Sequence, residues 1–194
     1  MSEKQEKRII LDLTRYESIA AIPCAHDSPS VRIFEFYTEN GESVNDITCV
    51  EEDMKSIVIK TKDDTQPLKL PEYMQKNLLH YFKNKEIFND FNCYALSLYI
   101  IYGCLDKEVK YKLQITKKFT IGDTILMGSF KKFLWATITL YHEHSAICNT
   151  ETDEGPLFVC KLGDEGKVVV MTLEEMKMIY WTTKSCVKTI WKNQ

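Results

Sequence analysis

Residues 92–103 read Asn92-Cys93-Tyr94-Ala95-Leu96-Ser97-Leu98-Tyr99-Ile100-Ile101-Tyr102-Gly103, and this stretch decides the fold. From Cys93 to Tyr102 it is apolar on nearly every face of a helical turn. It therefore predicts a helix buried on all sides and ended by Gly103, a residue that tolerates left-handed backbone. The residues that follow supply something to bury it against. Asp123 to Met127, Lys132 to Tyr141, His144 to Cys148, Leu157 to Lys161 and Val168 to Thr172 alternate with period two, joined by short connectors containing Gly and Asp. The expectation is one antiparallel sheet, with a helix from Leu173 to Tyr180 and a last strand from Cys186 to Trp191.

Upstream, Pro71 can open a helix without losing a needed hydrogen bond, and Tyr73, Leu78, Leu79 and Phe82 follow at helical spacing. Further back, Arg8 to Leu13, Val31 to Tyr37 and Ser56 to Thr61 are rich in β-branched and aromatic residues. They are punctuated by Asp27-Ser28-Pro29 and Asn40-Gly41 and read as strands. The polar segment Lys62 to Pro67 separates the two regimes. It divides residues 1–67, a β-rich portion, from residues 68–194, and the two are expected to pack as one compact unit.

Composition limits the classes of function. Hydrophobic residues at 44% and charged residues at 27% of 194 are ordinary globular values, so the chain is expected to fold. A formal charge of -3, with both signs interspersed, offers no basic stripe for a phosphate backbone, and nucleic acid is not an expected partner. No apolar run approaches the roughly 20 residues that span a bilayer. The start, MSEKQEKRII, lacks the features of a secretory signal, so the expected location is cytoplasmic, or another cell reached by a route that needs no signal peptide. Seven cysteines at irregular spacing read as reduced thiols rather than a disulfide framework. The charged segments Glu51 to Asp53 and Lys107 to Lys112 read as solvated faces, and the aromatic residues of the second half as core.

The chemistry points to Cys93. Partial positive charge and exposed N–H groups at a helix start favour an anion, so a thiol there ionises more readily and becomes a better nucleophile. A cysteine nucleophile needs a base, imidazole suits that role near neutral pH, and only His142 and His144 follow Cys93; His144, which opens a strand-like run, is the candidate.

Three segments carry a resemblance. Asn92-Cys93-Tyr94-Ala95 opens the helix, Ile121-Gly122-Asp123-Thr124-Ile125-Leu126 enters a strand, and His144-Ser145-Ala146-Ile147 begins another. In that order, over roughly residues 85–161, the chain resembles the NlpC/P60-type papain-like cysteine hydrolases. The resemblance implies an α+β papain-like core with Cys93 and His144 catalytic. It also implies a thioester intermediate and a peptide or protein substrate cleaved at an amide, isopeptide or ester bond. Transfer to another acceptor would use the same first step, and an intracellular toxin or delivered effector fits the absence of an export signal. No cofactor is implied.

The chain also departs from that family, which usually has Asp-Cys-Ser-Gly where this chain has Asn92-Cys93-Tyr94-Ala95. The family's third, ring-orienting polar residue would fall on Leu157 to Lys161, where alternation puts Phe158 and Cys160 on one face, and a thiol orients imidazole poorly. A catalytically degenerate interaction module on the same core is the competing expectation. A zinc site from His142, His144, Cys148 and Cys160 is weaker. Even-spaced ligands from residue 142 to 148 would span about 20 Å of strand.

Overall fold

The structure, a computed structural model, describes the backbone at residues 7–10, 33–47, 50–51, 54–60, 65–88, 90–104, 108–115, 119–133, 136–152, 155–163, 166–180 and 186–192, with side chains in those stretches that fall within 33–104, 119–125, 144–150 and 155–176. In chain order the elements are β1 (Lys7–Ile10), β2 (Phe34–Thr38), β3 (Ile57–Lys60), β4 (Thr65–Gln66), α1 (Glu72–Lys83), α2 (Cys93–Tyr102), β5 (Glu108–Ile115), β6 (Thr124–Phe133), β7 (Ala136–Thr152), β8 (Gly155–Lys161), β9 (Val168–Thr172), α3 (Leu173–Tyr180) and β10 (Cys186–Lys192). The fold is α+β. The described strands form one ten-stranded sheet in the order β1-β5-β10-β6-β7-β8-β9-β2-β3-β4, with every pairing antiparallel.

Helix α2 spans the residues its apolar pattern predicts. Its end is a left-handed Gly103 (φ 66°), whose N–H donates to the Tyr99 carbonyl. Helix α1 packs alongside α2, and Asn77 of α1 donates to the carbonyl of Ile100. The connector between the helices is held by aromatic rings. Phe88 lies 4.7 Å from Tyr99 and 4.9 Å from Phe91, centroid to centroid, so the chain enters α2 from a fixed direction.

Period two gives the sheet two chemically distinct faces. Ile147, Leu157, Val159, Val168 and Val170 pack with α1 and α2 in the larger core, which also takes Phe34, Phe36, Ile57 and Ile59 from β2 and β3. The alternating residues Ala146, Cys148, Phe158, Cys160, Val169 and Met171 form a second core with Phe119 and with Met176 of α3. Both faces of the central strands are therefore covered. No described helix is long and apolar enough to cross a membrane.

The β-rich portion joins the sheet of the second portion: β2 pairs with β9, and β3 and β4 follow it in the same sheet, one short strand falling at Thr65–Gln66. Residues 108–112 of the charged segment lie in β5, between β1 and β10, where Glu108, Lys110 and Lys112 alternate with Val109, Tyr111 and Leu113. Lys132 to Tyr141 is not one strand but the end of β6 and the start of β7, with Phe133 opposite Ala136. Alternation looks the same in one strand as in two that pair. The turn expected at Asp27-Ser28-Pro29 lies outside the described residues.

Candidate active site

Cys93 is the first residue of α2, and the residue before it explains why the helix starts there. Asn92 is extended (φ -83°, ψ -177°), and its side-chain oxygen accepts from the N–H groups of Tyr94 at 3.0 Å and Ala95 at 2.9 Å. That satisfies two of the donors a helix start leaves over, a cap worth about 1 kcal/mol. Cys93 itself is buried, with 6% of its surface exposed.

A chain of polar groups ties this turn to the sheet. The Ser97 hydroxyl donates to the carbonyl of Cys93 at 2.8 Å, and the Ser145 hydroxyl of β7 donates to Ser97 Oγ at 3.0 Å. On the neighbouring strand, Lys161 is buried and its Nζ donates to the carbonyl of Phe91, two residues before Cys93. Ala146 pairs with Cys160 in an antiparallel ladder, so Ser145 and Lys161 are the next residues opposite each other. Cys93, Ser97, Ser145 and Lys161 thus gather where the start of α2 meets β7 and β8.

His144 lies elsewhere. Ser145 reaches α2, and Ile147 packs with α1 and α2, whereas Ala146 and Cys148 pack on the α3 side. His144 is in step with Ala146 and Cys148 and shares their face. The ring is fully buried, and desolvation pushes its pKa down to about 3, so it is neutral at neutral pH. The alternation sets Ser145, and not His144, beneath the first turn of α2. His142 stands opposite Gly128, next to a register shift between Met127 and Gly128, and its side chain is outside the described residues.

The expected third position holds Cys160, facing as the alternation of β8 requires. Burial, and secondarily the proximity of Cys93, pushes its thiol far up, so it stays protonated. Among the described residues no group of three His, Cys, Asp or Glu side chains gathers to hold a metal ion. No known protein family, curated protein or solved structure matches the chain.

His144 and Cys160 thus take the face of the sheet toward α3, and three residues not expected at the site, Asn92, Ser97 and Lys161, bear on the first turn of α2. Each left a trace in the sequence. Asn92 is a preferred capping residue directly before an apolar run, and Ser97 is the one hydroxyl-only side chain within it. Lys161 follows Leu157 and Val159 at the inward parity of a buried strand, where a lysine needs a partner.

Proposed function

We propose that this chain is a cysteine hydrolase with a papain-like core, using Cys93 as its nucleophile on an amide, isopeptide or ester bond of a peptide or protein. The observation that carries the reading is the position of Cys93, the first residue of a capped, buried helix set against the two central strands of the sheet. The helix start favours a thiolate, and the N–H of Cys93 is suited to an oxyanion. In the reaction the thiolate attacks the carbonyl carbon, a C–S bond forms, and the C–N or C–O bond breaks as the leaving group takes a proton. Water then adds to the thioester, releasing the acid and the thiol. His144, neutral and on the face toward α3, is not assigned the base in this reading.

The same observation on His144 supports a second reading, in which the core is catalytically degenerate and serves as a protein-interaction module. Brief iodoacetamide treatment across a pH range, with each cysteine mapped by mass, separates them. Under the hydrolase reading Cys93 reacts with an inflection below the roughly 8.5 of a free thiol, and faster at neutral pH than the exposed Cys104. If Cys104 reacts while Cys93 stays unmodified in the native protein, the module reading replaces it.

A further inference from the structure

Resting on the thiol reading of Cys93, we propose that Lys161 is the positioning residue that holds Cys93 as a thiolate, the part an imidazole plays in related chemistry. Lys161 leaves the sheet on the α2 side and ends at the carbonyl of Phe91, at the mouth of the same helix turn. Cα–Cβ bonds in a helix tilt toward its N-terminus, so the Cys93 side chain leans toward the end of α2 at which Phe91 and the Nζ it holds lie. Ser97, one turn along the helix, is joined to Ser145 directly opposite Lys161, which puts the Cys93 face of α2 over this part of the sheet. A lysine so deeply buried needs compensating negative charge or carbonyl oxygen, and a thiolate two residues beyond its carbonyl partner adds the former.

Among the described side chains, several other titratable groups on the elements packed against α2 are placed otherwise. His144 of β7 faces α3, and Cys160 of β8 stays protonated. On α1, His80 is engaged by the hydroxyl of Tyr99, Tyr81 is pushed up to about 12 by burial, and Lys83 closes the helix. Deprotonation of Cys93 moves its proton to solvent, and the charge formed is met by the amine of Lys161 and the start of α2.

The test is the pH dependence of Cys93 alkylation in the full chain, for the wild type, Lys161→Met and Lys161→Arg. A cation within a few ångströms shifts an acid by about one to three pH units. Lys161→Met is thus expected to move the Cys93 inflection up by about one unit or more, while Lys161→Arg, which keeps the charge, leaves it low. A low wild-type inflection that persists in Lys161→Met, with native circular dichroism, overturns the role of Lys161 and leaves the thiol reading standing. A wild-type inflection at the free-thiol value removes both. Should Lys161→Met not fold, folded Lys161→Arg decides: an inflection raised to the free-thiol value overturns the proposal, because the cation is still present.

Discussion

The hydroxyl of Ser145 on β7 donates to Ser97 Oγ on α2 at 3.0 Å, between two side chains of which no more than 3% is exposed. This contact decides which face of β7 meets the helix. With Ser145 turned toward α2, its neighbours His144 and Ala146 must turn away. One hydrogen bond between small side chains thus marks the face of β7 that meets α2, and His144 takes the other.

Removing the two hydroxyls should have unequal effects. Ser97→Ala strands the Ser145 hydroxyl without its acceptor, at a cost of about 1–3 kcal/mol, whereas Ser145→Ala leaves Ser97 still donating to the Cys93 carbonyl and costs about 1 kcal/mol or less. In a Ser97→Ala background the second substitution should cost almost nothing. Denaturant melts of the four proteins give the coupling directly. Additive losses would mean that the two hydroxyls act independently.

His144 makes acid stability a reporter of its environment. Its folded-state pKa, about 3, lies below the unfolded value of about 6.5, so the unfolded chain binds the extra proton first as pH falls. Its contribution is flat above about pH 6.5 and is lost steadily toward pH 3. The loss from this residue between pH 7 and pH 5 is about 2 kcal/mol, an order-of-magnitude figure that needs no discount for solvent because the ring is fully buried. Urea midpoints should fall less over this range in His144→Gln than in the wild type. Equal slopes, or an imidazole resonance titrating near pH 6.5, would place His144 in contact with water.

What the sequence made legible follows from the range of each signal. Helix α2, the strands β8 and β9 and the helix α3 are local patterns, and Phe158 and Cys160 share a face as alternation requires. The docking of β2 onto β9 depends on a pairing between residues far apart in sequence, which period two does not encode. The same limit applies to the site. Alternation states that His144 and Cys148 share a face, but not whether that face looks at α2 or α3; packing decides it, and Ser145 is the smaller residue to place against a close helix. Lys161 was hidden because its charge argues for solvent until its carbonyl partner is known.

Gly103 should be intolerant of any side chain. It has a φ of 66°, and a Cβ there would lie 3.0 Å from Asn77 Oδ1, in the side chain that fastens α1 to α2 through the Ile100 carbonyl. Left-handed backbone costs a non-glycine residue about 1–2 kcal/mol, and displacing Asn77 adds to it. Gly103→Ala should lower the melting temperature by several degrees. In Asn77→Ala the same glycine substitution should cost less, since the close contact is gone. An equal cost in both backgrounds would assign the whole effect to the backbone.

Asn92→Asp should move stability and reactivity in opposite directions. Aspartate keeps an oxygen to accept from the N–H groups of Tyr94 and Ala95, and its negative charge suits a helix start, so the fold should be unchanged or gain a few tenths of a kcal/mol. The same charge stands beside Cys93 and disfavours its thiolate, so the alkylation inflection of Cys93 should rise. Asn92→Ala behaves differently: it loses the cap at a cost of about 1 kcal/mol and adds no charge, so the inflection should change less than in the aspartate variant. Melting curves and alkylation profiles of the two variants separate capping from electrostatics. If Asn92→Asp leaves the Cys93 inflection where it is in the wild type, the field at the start of α2 is not what sets the Cys93 thiolate, and the helix-start argument for Cys93 as nucleophile fails.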